Sequence, residues 1–438
     1  MLGKSLCAAL AAFGLATAAH AQTDIQFWHS MGGALGDKVS ELADKFNKSQ
    51  NAYHVTAIYK GGYSESMTAA IAAYRAGNAP AILQVFEVGT ATMMAAKGAI
   101  VPVYKLMKDA DERFDPKAYI GPVSGYYTDS RGNMLSMPFN SSTVVFYVNK
   151  DAFRKAGLDP EKAPRTWKEF QVDADKLKAA GQKCVYTTGW PSWVHLENFS
   201  AWHNVPIATK ENGMAGLDTV FQINSPLHVR HWNNLKEWNS KGYFTYGGRT
   251  NEAEAKFYSG ECAMLTSSSA AQANINRNAK FKYGVAMMPY YADVAGAPQN
   301  SIIGGASLWV MAGKKPDEYK GVAKFLNYLA DPQRQAQWHQ QTGYLPITPV
   351  AYDITKTSGF YEKNPGTDVS VRQMMNKPAT PNSKGLRFGS FVQIRDMFQE
   401  EFENMLAGKQ DAKTALDNAV KRGNEMLRRF EKTAKDAG

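Results

Sequence analysis

The stretch PFNSSTVVFYVNKDAFRKAGLDPEKAPRTWKEF, Pro138 to Phe170, decides how the chain is read. Thr143–Val148 is a β-branched and aromatic run, short enough for a buried strand. Asn149 and Asp151 are N-cap types that can open a short helix, and Gly157 suits the left-handed position after it. Pro160 and Pro164 forbid its continuation. Thr166-Trp-Lys-Glu169 has capping-box spacing, in which hydroxyl and carboxylate each satisfy a free backbone N–H. Trp167, Phe170, Ala174 and Leu177 then share one helical face, and Gly181 ends that helix. Strand, helix, helix is the start of an α/β unit.

A similar unit precedes it. Ile25–Trp28 predicts a strand, and Leu35, Val39, Leu42 and Phe46 recur at helical spacing. Tyr53–Tyr59 predicts a second strand, Met67–Ala76 a helix stopped by Gly77, and Ala81–Phe86 an apolar strand covered on both faces. Glu87 stands at its carboxyl end, the end at which α/β sheets bind ligands. Beyond the opening stretch, strands are predicted at Lys183–Thr187, Cys262–Thr266, Tyr283–Met288 and Ile302–Met311. Helices are predicted at Ser225–Asn239, Tyr319–Ala330, Asp331–Thr342, Ile394–Leu406 and Lys413–Lys432. No Pro/Gly linker separates two halves. The expectation is an α/β protein of two lobes between which the chain passes more than once.

With 438 residues, 44% hydrophobic and 21% charged, the chain is ordinary globular material able to bury its core without staples. Residues 1–21 read as a secretory signal peptide: Lys4, the apolar run Leu6–Ala18, then Ala19-His20-Ala21 as a small-x-small cleavage site. No later segment approaches about 20 uninterrupted apolar residues. Removal of Lys4 takes the formal charge from +10 to +9. The Lys and Arg residues are scattered among acids, and the cluster from Lys421 to Lys435 reads as a solvated helix face, so no nucleic-acid partner is expected. Cys184 and Cys262 remain after cleavage; export makes a disulfide and two buried thiols equally good expectations.

For catalysis the residues give little. His228 and His231 lie at i, i+3 on a helix without a third ligand, and H-E-x-x-H, G-x-S-x-G, G-x-G-x-x-G and Walker patterns are absent. Ser267–Ser269 reads as a turn. No cofactor, no metal and no enzyme activity is expected. Trp190, Trp193 and Trp202 crowd one segment, either as core of the second lobe or as an aromatic wall of a cleft. Gly304-Gly305 offers backbone N–H groups without side-chain bulk, suited to an anion. Arg395 opens a helix, either in a surface ion pair or as a fork for phosphate.

The run YVNKDAFRKAGLDPEKAPRTWKEF resembles the segment after the first interlobe crossover in solute-binding proteins of bacterial ABC importers. FWHSMGGALG (from Phe27), GNAPAILQVFEVGTATMMA (from Gly77), NSIIGGASLWVM (from Asn300) and WHQQTGYLPIT (from Trp338) resemble, more narrowly, the glycerol-3-phosphate-binding family among them. That resemblance implies the maltose-binding-protein-like (type II) fold, with a ligand cleft between lobes of 22–138 plus about 289–340 and 139–288 plus about 341–438. It implies a periplasmic monomer that captures sn-glycerol 3-phosphate, with glycerophosphocholine as a second ligand, for the permease subunits of an ABC importer. It carries ligand roles onto Tyr63, Glu87, Ser142, Trp190, Trp193, Ser268, Gly305, Tyr344 and Arg395. Arg395 would neutralise phosphate with help from Gly305, Glu87 would accept from glycerol hydroxyls, and the tryptophans would cover the carbon face. As a cleft residue, Arg395 is expected to tolerate truncation without loss of fold. The residues leave two rivals: a binder of neutral oligosaccharide, and a secreted glycerophosphodiester hydrolase.

Overall fold

The computed structural model describes residues 22–436, so the signal-peptide reading of 1–21 lies outside the described residues. Among the described residues ten strands form two sheets. The first holds β1 (Thr23–His29), β2 (Tyr53–Tyr59), β3 (Ile82–Phe86), β4 (Ile100–Val101), β5 (Met137–Ser142) and β10 (Gly304–Met311). Its order is β2-β1-β3-β10-β4, with β5 beside the other end of β10. β1 is parallel to β2 and β3, while β10 returns antiparallel. The second sheet has the order β7-β8-β6-β9, from β6 (Val144–Asn149), β7 (Cys184–Thr188), β8 (Cys262–Ser268) and β9 (Tyr283–Ala286). Helices cover both, and β3, β5, β6 and β7 are buried along their whole length.

The opening stretch folds as read in most details. Asn149 accepts from the backbone N–H groups of Asp151 and Ala152. Thr166 and Glu169 close a complete capping box, and Gly157 and Gly181 take positive φ. Trp167, Phe170, Ala174 and Leu177 are buried on one face. The strand starts one residue later, at Val144, because PFNSS is itself strand β5 of the other sheet. Thr143 is thus the single residue at which the chain first changes sheet. It returns between Ala286 and Gly304, and the two passages touch: Thr143 donates to Ser301 Oγ at 2.7 Å or to the Ile302 carbonyl at 2.8 Å.

Cys184 and Cys262 are register partners on β7 and β8 and are disulfide-bonded, which decides between the two expectations. The tryptophan-rich segment holds a π-helical turn, Trp193–Asn198, running into the helix Phe199–Trp202. Asn198 fixes it to the second passage by accepting from Ile302 N–H at 3.0 Å.

Candidate functional site

Between the sheets lies a cavity lined by each of the nine residues onto which the resemblance carries a ligand role. Tyr63, Glu87, Ser142, Gly305 and Tyr344 form the wall on the first sheet's side; Trp190, Trp193, Ser268 and Arg395 form the other. The walls are in contact across the cleft. Asn274 accepts from Ala34 N–H, Arg277 pairs with Asp37 at 2.6 Å, and the Tyr63 and Trp190 rings stand 6.3 Å apart.

The first wall is built from strand ends. Glu87 follows the last residue of β3, and Tyr63 starts the helix after β2, its ring stacked on Phe86 at 4.9 Å. A ladder of buried amides sets the Tyr63 hydroxyl: Gln84 accepts from Ser30 N–H and donates to Asn140, which donates to Tyr63 Oη at 2.9 Å. Tyr63 accepts there, so its own hydrogen is left to donate, with the Tyr344 hydroxyl beside it. Gly305 has φ of 87°, and a Cβ there would strike the carbonyl of Asn140 on β5. Gly304 is pressed against the Trp193 ring, whose Nε1 donates to the Ile303 carbonyl at 3.4 Å. Leu345 N–H donates to the Ser141 carbonyl, holding the Tyr344 loop on β5.

The second wall hangs on the π-helix. A π turn carries one residue more than an α turn, and such turns are common at functional sites. Here it aims Trp193 at the cavity and places Glu197 behind it. Glu197, which sequence reasoning missed, takes a bidentate fork from Arg395: Nε donates to Oε1 at 2.9 Å and Nη2 to Oε2 at 2.6 Å. Nη2 also donates to Glu87 at 2.6 Å, across the cleft. All three are buried, so the surface-ion-pair reading of Arg395 is wrong. Burial pushes the Glu87 carboxyl pKa up, with Glu197 adding to the effect and Arg395 opposing it. Burial opposes the guanidinium charge too, yet Glu197 and Glu87 hold the Arg395 pKa above its usual value. Breaking a buried pair strands its partner, so the expectation that truncation spares the fold is also revised.

The tryptophan-rich segment fits both of its sequence readings. Trp202 is core at 1% exposure, donating to the Met288 carbonyl, while Trp190 and Trp193 face the cavity. Behind them the histidines form a buried network rather than a helical pair. Tyr186 meets His195 at 3.0 Å, His195 meets His231 at 2.9 Å, and His231 meets the Tyr291 hydroxyl at 3.0 Å. Burial holds the pKa of His195 and His228 down to about 3 and that of His203 to about 4. Sequence reasoning also missed Glu254, Asn251 and Asn274 on the cavity lining; Glu254 opens a five-residue helix and carries no motif.

The cavity thus offers hydroxyls, one guanidinium already carrying two carboxylates, a backbone floor at Gly304-Gly305 and two indoles. That set can orient a small polyhydroxylated or phosphorylated solute. Comparison with known proteins agrees. The profile of bacterial extracellular solute-binding proteins matches residues 41–368. The chain is 57% identical over 430 residues to the sn-glycerol-3-phosphate-binding periplasmic protein UgpB of Pectobacterium atrosepticum, covering 98% of this chain and 97% of that one. It is 56% identical to the protein of the same name from Yersinia pseudotuberculosis, covering 98% of each. Among solved structures, UgpB from Mycobacterium tuberculosis in complex with glycerophosphocholine superposes with a TM-score of 0.78 at 22% identity, over 93% of this chain and 99% of that one. The sugar-binding protein MalE from Xanthomonas citri gives 0.70 at 17% identity, over 95% and 100%. These last two likenesses show the two-lobed fold. Fold, sequence and profile coincide, and the chain belongs to the bacterial extracellular solute-binding protein family.

Proposed function

We propose that the chain captures sn-glycerol 3-phosphate in this cleft in the periplasm and delivers it to the permease subunits of an ABC importer. The observation that carries the reading is convergence: residues scattered from Tyr63 to Arg395 line one cavity from both of its walls. Their roles follow from donor and acceptor supply. A glycerol hydroxyl donates and accepts at once, which suits a carboxylate and a guanidinium already side by side, so Glu87 and Arg395 take the diol. Two carboxylates on that guanidinium disfavour placing the phosphate against it. The phosphate is left for the hydroxyls of Ser142, Ser268, Tyr63 and Tyr344 and the backbone at Gly305. Trp190 and Trp193 cover the carbon face. No bond is made or broken.

The test is calorimetric titration with glycerol 3-phosphate, maltose and inorganic phosphate. Saturable heat with glycerol 3-phosphate alone supports the reading, and binding of maltose alone overturns it. Incubation with glycerophosphocholine is expected to release no choline; release would make the protein a hydrolase.

A further inference from the structure

One carboxyl in the cavity has no work in that scheme. Glu254 is 4% exposed and lines the cleft. It accepts from the Ser267 hydroxyl at 2.8 Å, and no Lys, Arg or His among the described residues lies within ion-pair distance of it. Arg395, the one cation among the described lining residues, is already matched by Glu87 and Glu197. The cavity therefore holds an excess of carboxylate, and an ionised carboxylate buried without a counter-charge is costly. Burial accordingly pushes the Glu254 pKa to about 7, with Glu252 a lesser contributor.

The surroundings of Glu254 are shaped rather than incidental. Gly189 abuts Ser267: a Cβ there would lie 2.7 Å from the hydroxyl that holds Glu254. The next residue, Trp190, sits at φ 50°, a left-handed backbone that strains a bulky residue and persists where the surroundings enforce it. Its N–H is tied to the Thr250 carbonyl at 2.8 Å, four residues before Glu254. The Trp193 ring is fixed by Gly304 and the Ile303 carbonyl. Indole faces with a buried carboxylate are the chemistry that recognises an organic ammonium.

We propose that Glu254, with the faces of Trp190 and Trp193, is the specificity-determining subsite for a cationic head group esterified to the phosphate. It makes the protein discriminate among glycerophosphodiesters by head-group charge, favouring choline and ethanolamine esters over uncharged ones. The inference rests on the phosphoglycerol reading above and adds to it the residue that reads the substituent.

Three probes separate the terms: glycerol 3-phosphate, glycerophosphocholine, and glycerophosphoglycerol, a diester with an uncharged head group. The parent protein is expected to bind glycerophosphocholine tenfold or more tighter than glycerophosphoglycerol, and Glu254→Gln to bring the two within threefold. A second readout needs no variant. An ammonium ionises Glu254, so titration at pH 6.5 in buffers of differing ionisation enthalpy should show proton release with glycerophosphocholine and none with glycerophosphoglycerol. The other groups facing Glu254 that titrate, Glu252, Tyr147 and Tyr344, carry no head-group contact in this scheme. A parent without preference, a preference that survives in Glu254→Gln, or zero proton release overturns the inference while leaving the phosphoglycerol reading intact. Failure of all three probes to bind the parent removes that reading itself.

Discussion

The two walls of the cleft are made differently. The first presents strand ends, hydroxyls and bare peptide, braced by neutral amide and hydroxyl bonds such as the Gln84–Asn140–Tyr63 ladder. The second presents a strained tryptophan, a π turn and a guanidinium, braced by a buried network of histidines and acids and by the disulfide. A wall of strand ends is positioned by the sheet itself. A wall carried on an irregular turn must be positioned by polar groups that are costly to bury, so its stability and its binding are coupled.

The largest effect that would break this contrast is at Arg395. Arg395→Ala strands Glu87 and Glu197 in the interior, and losing one partner of a buried pair costs about 3–5 kcal/mol. The expected outcome is a lower unfolding midpoint together with glycerol 3-phosphate affinity weakened roughly 30-fold or more, at about 1.4 kcal/mol per tenfold. Arg395→Lys recovers part of both, because an ammonium cannot reproduce the fork. Unchanged stability and affinity within threefold would show that the second wall does not depend on its ion cluster.

The disulfide comes next. Replacing Cys184 and Cys262 by Ser releases a crosslink spanning 78 residues, a loss of about 4.5 kcal/mol if chain entropy alone acts. Denaturant unfolding measures it. The second wall should loosen first, seen as faster amide exchange in β7 and β8 than in β1 and β3; equal exchange would erase the contrast.

Acid provides a third handle. The buried histidines have native pKa values near 3–4 against about 6.5 when unfolded. A depressed native pKa contributes stability that is whole above about pH 6.5 and is lost as pH falls towards 3–4. Thermal midpoints measured from pH 7 to pH 4 should therefore fall, and a flat profile would show that the network carries no linked stability. The smallest effect is optical. Trp190 is half-buried beside Tyr63, so glycerol 3-phosphate should shift the intrinsic fluorescence, with much of the shift gone in Trp190→Ala. A shift of full size in that variant would assign the signal to other tryptophans.

The contrast also explains what could be read without coordinates. The first wall was legible because strand ends follow apolar runs: Glu87 closes one and Gly304-Gly305 opens another. Strand β5 escaped because Asn140, Ser141 and Ser142 are poor strand residues, kept in place by pairing with β10. Glu197 escaped because the guanidinium it holds stands 198 residues ahead of it, and because it lies on a turn whose Trp, His and Asn content reads as loop. Burial of Arg395 was illegible for the same reason: position in a helix gives a face, while the carboxylates that permit burial come from elsewhere in the chain.

Gly305 has one more implication. Its backbone lies against the Asn140 carbonyl with no room for even a methyl group, so the cavity floor is peptide on peptide. Substitution can remove such a floor but cannot retune it, because every residue type carries the same main-chain atoms. In a lineage drifting towards new solutes, innovation then falls to the side chains around that floor, where a tyrosine, an indole, a carboxylate or a serine can be exchanged one at a time. The cavity pairs an evolutionarily inert floor with plastic side-chain walls, and ligand preference among descendants should be inherited through the walls.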